Sequence, residues 1–127
     1  MKVFVDSDIL IWHLRGKREA KGLLKTLIDD VDTELWIGSM QRAEIIFFMH
    51  ENEEMITMDL LSLFRTHPVD QAIIDQAGIF FRRFNPSHGI DPNDAILAAT
   101  VALKGGRIIT QNTSHYPMQN IIVQKGW

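Results

Sequence analysis

Val3-Phe4-Val5-Asp6-Ser7-Asp8-Ile9-Leu10 runs an apolar segment directly into two carboxylates. A continuous apolar run suits a parallel strand covered on both faces, and in open α/β sheets the ligand crevice lies beyond the carboxyl ends of such strands. An aspartate in that spot is a candidate metal ligand. Asp6 is equally suited to capping the helix that follows, as is Ser7, because Asp and Ser are favoured at N-caps. This opening stretch leaves both roles open.

Outward from this junction, residues 9–14 read as a short apolar helix ended by Gly16, and residues 17–28 as a second helix. Arg15, Lys17, Arg18, Lys21 and Lys25 make this region cationic. Asp29, Asp30 and Asp32 lead into a short strand, residues 34–38. Ser39 is placed to cap a helix to about His50 with Ala43, Ile46 and Phe47 on one face, and the next helix runs over about residues 53–64. His67-Pro68-Val69 reads as a brief extended connector, because the residue before proline avoids helix.

Asp70 starts a helix to about Phe84, and residues 85–89 read as a loop from their Asn, Pro, Ser and Gly. Asp91-Pro92-Asn93-Asp94 opens the clearest helix of the chain, continuing to Lys104 and stopped by Gly105-Gly106. Residues 107–110 and 120–123 read as strands. Strands alternating with helices predict an α/β sandwich around a mainly parallel sheet.

The 127 residues suit one domain, 1–127, long enough to bury a core. A hydrophobic fraction of 46% with 23% charged residues is that of a globular protein. No stretch approaches the roughly 20 apolar residues that span a bilayer, and the N-terminus turns acidic after three apolar residues, too soon for a secretory signal. No membrane association and a cytoplasmic location are therefore expected. With no cysteine, neither disulfides nor a thiolate metal site can form. Any metal would be a hard one held by Asp, Glu or the five His. A net charge of −3 argues against coating nucleic acid by bulk electrostatics and leaves room for a local basic patch.

Acids or amides stand near predicted helix starts or strand ends in four places: Asp6 with Asp8, Glu44, Asp91 with Asp94, and Asn112. In a parallel sheet all carboxyl ends face one way, so these could converge. Carboxylates gathered in one crevice repel each other unless a cation is present, which is how Mg²⁺ or Mn²⁺ sites are commonly built. Each also has a purely structural role available. Asp91 suits the N-cap before Pro92, and Asp94 suits the third helical position of a capping box. Glu44 could pair with Arg42, and Asn112 could be a turn residue.

Taken together, the order and context resemble the PIN-domain ribonucleases, most closely the VapC-type toxins of bacterial and archaeal toxin–antitoxin pairs. The residues that carry the resemblance are Val5-Asp6-Ser7-Asp8-Ile9-Leu10-Ile11; Gly38-Ser39 followed by Ala43-Glu44-Ile45; and Asp94-Ala95-Ile96-Leu97-Ala98-Ala99-Thr100 with Gly105-Gly106, Thr110-Gln111-Asn112 and His115-Tyr116. Two positions depart from the family pattern: Asp8 replaces the commoner Asn, and Asn112 stands where some members carry a fourth acid.

The resemblance implies a three-layer PIN-like sandwich and metal-dependent hydrolysis of RNA. Asp6 and Asp94 would be the principal Mg²⁺ or Mn²⁺ ligands, Glu44 would hold a water on the ion, and Asp8 would support them. Ser7, Asp91 and Asn112 would stand behind these ligands or cap helices. Arg15, Lys17, Arg18 and Lys21 are candidate RNA contacts by their proximity to Asp6, with a solvated helix face as the alternative. His115 has no second histidine at ligand spacing, which favours a hydrogen bond or a phosphate contact. The resemblance further implies a homodimer and a cognate antitoxin whose C-terminal segment blocks the acidic groove. Met40, Phe48, Met49, Met55, Met58 and Phe64 supply soft apolar surface suited to partners. Two rival readings are a non-catalytic α/β binding module and a haloacid-dehalogenase-like phosphatase with Asp6 as nucleophile. Ile9 and Leu10 lack the hydroxyl that usually follows in the latter.

Overall fold

The computed structural model describes all residues, 1–127. Five parallel strands form one sheet in the order β3-β2-β1-β4-β5: β1 (Lys2–Val5), β2 (Glu34–Gly38), β3 (Arg65–His67), β4 (Arg107–Thr110) and β5 (Ile122–Lys125). Side chains alternate across a strand, so β1 sends Phe4 to one face and Val3 and Val5 to the other. Phe4 and Ile108 pack with α5 (Gln71–His88) and α6 (Pro92–Lys104) in one core. Val3, Val5, Ile37 and Ile109 pack on the opposite face against α1 (Ser7–Leu14), α2 (Arg18–Asp29), α3 (Ser39–Phe48) and α4 (Glu54–Leu61). The result is the three-layer sandwich expected of a parallel sheet buried on both sides.

The chain leaves β1 toward β2 on one side and later returns to place β4 on the other. The strand order therefore reverses at the β1/β4 seam, and beyond the carboxyl ends at such a reversal is where open α/β sheets commonly hold their ligands. Ala95, Ala98 and Ala99 are fully buried, and their small side chains let α6 lie close over the sheet.

Several local expectations are corrected. Gly38, not Ser39, occupies the N-cap of α3, and the Ser39 hydroxyl instead donates to the His67 carbonyl, tying α3 to the end of β3. The buried face of α3 carries Gln41 and Ile45, while Phe47 is exposed. A helix expected from residue 53 begins as a 3₁₀ turn, Glu51–Glu53, and α4 stops at Leu61. The stretch before Pro68 pairs with β2 as an edge strand, since the extended backbone that proline imposes on His67 also fits a ladder.

Helix α5 runs through Pro86 to His88, where a loop was expected. Residues 82 and 83 and 85–89 are exposed, so water can serve the carbonyl that proline leaves without a donor, and Gly89 ends the helix at φ +62°. Strand β5 lies two residues later than expected, a shift that preserves which side chains share a face.

Candidate active site

Asp6 follows β1 and caps α1, so of the two roles left open by the sequence the helix cap is filled. Its Oδ1 accepts the Ser7 N–H at 2.8 Å, while Oδ2 accepts the Thr110 hydroxyl at 2.9 Å and the Tyr116 hydroxyl at 2.8 Å. Asp8, in the first turn of α1, accepts the Ile9 and Gln111 N–H groups at 2.8 and 2.9 Å, and thereby staples α1 to the end of β4.

Asp94 belongs to the predicted capping box: Asp91 Oδ1 accepts the Asp94 N–H at 2.8 Å, and Asp94 Oδ2 accepts the Asp91 N–H at 3.2 Å. The cap aims Asp94 inward, where Oδ1 lies 3.3 Å from the Tyr116 hydroxyl and Oδ2 3.2 Å from His115 Nδ1. Glu44 does not pair with Arg42. Its Oε2 accepts the Ser7 hydroxyl at 3.1 Å and its Oε1 the Asn93 amide at 3.2 Å. Because Ser7 adjoins Asp6 and Asn93 adjoins Asp94, the three acids and their polar partners close a ring over the β1/β4 seam.

Burial dominates the electrostatics. It pushes Asp6 from 3.8 up to about 6, assisted by the charge on Asp8, and pushes Asp94 up to about 6 as well. Burial also raises Glu44 and holds the Tyr116 phenol well above its usual value, leaving that hydroxyl a donor at any ordinary pH. No lysine or arginine pairs with these acids, and the basic side chain in contact with them is His115, 3.2 Å from Asp94.

This oxygen-only donor set fits a hard cation, whose charge would offset the cost of burying ionised carboxylates. No three of the aspartate, glutamate and histidine side chains stand close enough together to hold a metal by themselves. Mg²⁺ does not require three, since it keeps several waters and is commonly bound through one or two carboxylates.

The remaining predicted residues divide. Arg15 lines a groove of about 390 Å³ together with Glu44, Ile11, Leu14, Phe48 and Met49. Lys17 is engaged elsewhere, 3.5 Å from Glu19 and over the Trp12 ring. Arg18 and Lys21 are exposed on α2 and take no part in the acidic network. Asn112 contributes its backbone N–H to the Thr110 hydroxyl at 3.0 Å, and its side chain makes no capping bond. Tyr116, Thr110 and Asn93 are central to the site although none was singled out as a site residue from the sequence. The available signal for Tyr116 was that it is the only tyrosine, set next to His115 just past a strand end.

Comparison with known proteins agrees with this architecture. Ribonuclease VapC10 of Mycobacterium tuberculosis (strain ATCC 25618 / H37Rv) is 36% identical over 117 residues, spanning 91% of this chain and 86% of that protein. Ribonuclease VapC19 of the same strain is 31% identical over 115 residues, 90% of this chain and 91% of its own. Among solved structures, a toxin-antitoxin complex from Klebsiella pneumoniae superposes with a TM-score of 0.78 at 24% identity, covering 98% of each chain. VapBC-1 from nontypeable Haemophilus influenzae gives 0.79 at 17% identity, covering 99% of this chain and 98% of that one. The PIN domain matches residues 3–119, which hold four of the five strands and both helical layers, and with relatives above 30% identity this chain belongs to the PIN-domain family.

Proposed function

We propose that this protein is a divalent-metal-dependent endoribonuclease and the toxin of a VapBC-type pair. The observation that carries this reading is the convergence of Asp6, Glu44 and Asp94 at the β1/β4 seam without a lysine or arginine to neutralise them. The kinship with the VapC ribonucleases supports RNA as the substrate.

Asp6 and Asp94 would hold a Mg²⁺ or Mn²⁺ ion, with Glu44 beside them and Asp8 behind. A cation in that position supplies charge neutralisation at the scissile phosphate and acidifies water. Glu44, oriented by Ser7 and Asn93, accepts a proton from the attacking water. His115, at the rim beside Asp94, and Arg15, in the adjoining groove, meet the phosphates of single-stranded RNA. RNA as substrate points to the cytoplasm as the place of action.

The groove beside Glu44 joins apolar Ile11, Leu14, Phe48 and Met49 to a carboxylate, which suits an amphipathic antitoxin segment carrying an Arg or Lys toward the acids. Phe47, Met55 and Ile56 are 75%, 78% and 66% exposed, an apolar surface suited to a second copy of the chain.

The test is cleavage of single-stranded RNA with Mg²⁺ or Mn²⁺. Asp6→Asn and Asp94→Asn should abolish cleavage with unchanged circular dichroism, and the cognate antitoxin should suppress it in the wild type. Light scattering should give twice the mass of one chain. Wild-type cleavage rates in Asp6→Asn would refute the assignment.

A further inference from the structure

We propose that Tyr116 is a positioning residue of the acidic centre: its hydroxyl clamps the Asp6 and Asp94 carboxylates at a fixed spacing and so sets how tightly the pair holds a divalent cation. The inference rests on the ribonuclease reading and deepens it.

Tyr116 is 4% exposed, and its ring is packed in the core shared by α5 and α6. It follows the 3₁₀ turn Thr113–His115, an element separate from both β1 and α6, so its hydroxyl ties together acids that no other contact joins directly. A buried phenol normally finds a polar partner; here its single proton is shared between two carboxylates, given to Asp6 Oδ2 at 2.8 Å with Asp94 Oδ1 as the longer arm at 3.3 Å.

Counting acceptor sites shows what this arrangement does. A carboxylate offers about four lone-pair directions. On Asp6, Oδ2 is filled by the Thr110 and Tyr116 hydroxyls and Oδ1 is half filled by the Ser7 N–H. On Asp94, Oδ2 is met by the Asp91 N–H and His115, while Oδ1 faces Tyr116. Each carboxylate thus keeps an open direction on Oδ1. The terminal torsion of an aspartate is broad, so that direction is only as well defined as the bonds that hold the group. Tyr116 holds both groups from a rigid ring, and residues that orient metal ligands typically contribute 10–100-fold to metal affinity.

Tyr116→Phe deletes the hydroxyl and keeps the packed ring. Titrating Mn²⁺ into the protein by calorimetry, without RNA, should give binding about tenfold weaker in the variant than in the wild type. The rate of RNA cleavage should fall with KM for RNA unchanged. Because Tyr116 is the only tyrosine, saturating the wild type with Mg²⁺ should also produce a near-ultraviolet tyrosine difference band that the variant lacks. Mn²⁺ binding in Tyr116→Phe as tight as in the wild type, or an unperturbed tyrosine spectrum on saturation, would overturn the proposal. A wild type that binds no Mn²⁺, or that binds it equally well as Asp6→Asn, would overturn the ribonuclease reading itself, and this inference with it.

Discussion

Asp6 carries a helix cap, two hydroxyl bonds and one side of a candidate cation site on two oxygen atoms. Burial makes its ionised form costly, which has a measurable consequence in the metal-free protein. A carboxyl whose value rises from 3.8 to about 6 on folding adds stability that is complete below about pH 4 and lost as pH climbs through 6. The shift corresponds to at most about 3 kcal/mol. The melting temperature of the metal-free protein should therefore fall between pH 4 and pH 7, and Asp6→Asn, which has no charge to bury, should flatten that slope. An equally steep slope in the variant would show that Asp6 is not the group responsible. Adding Mg²⁺ should restore stability at pH 7 far more than at pH 4, because only the ionised carboxylate gains from the cation.

At the scale of the element, α6 is where stability and chemistry share residues. Asp91 and Asp94 form a reciprocal cap, so the capping role the sequence suggested for Asp94 and its role at the centre do not compete: the cap is what aims the side chain inward. Asp91→Ala should cost about 1 kcal/mol, read as a drop of a few degrees in melting temperature. It should also slow RNA cleavage, because the N–H of residue 91 loses its fixed place against Asp94. Unchanged stability would mean that the cap is dispensable.

β1, β2, β4 and α6 were legible because their signals are local: an apolar run, Pro at the first helical position, paired glycines at the end. The end of α5 was not, because the tolerance of Pro86 depends on solvent exposure that only the fold defines. The face of α3, expected to carry Ala43, Ile46 and Phe47, was not legible for a related reason. Gln41 faces α6, where its amide donates to the Asn93 carbonyl at 3.4 Å, and Phe47 in the last turn stays exposed, so tertiary contact rather than the apolar pattern sets the buried face. Tyr116 was overlooked as a site residue because a tyrosine has many uses, and only its distance to two carboxylates distinguishes this one.

Across the whole molecule, the fold's contribution is to bring together residues from opposite ends of the chain. Ser7 hydrogen-bonds Glu44 across 37 positions, and Tyr116 reaches Asp6 across 110. A parallel sheet does this economically, since every strand ends on the same edge and the seam between β1 and β4 lies at its middle. The net charge of −3 is less basic than a substrate-coating protein requires, so under the proposed ribonuclease reading RNA contact would fall to a few cations such as Arg15. The central claim is that Asp6, Glu44 and Asp94 border one cation site. It is tested most directly by anomalous scattering at the manganese edge from crystals soaked in Mn²⁺. A peak is expected between Asp6 and Asp94, on the side of Glu44, that disappears in Asp6→Asn. A crystal that shows no peak there at a Mn²⁺ concentration supporting RNA cleavage, or a peak only at another site, would contradict it.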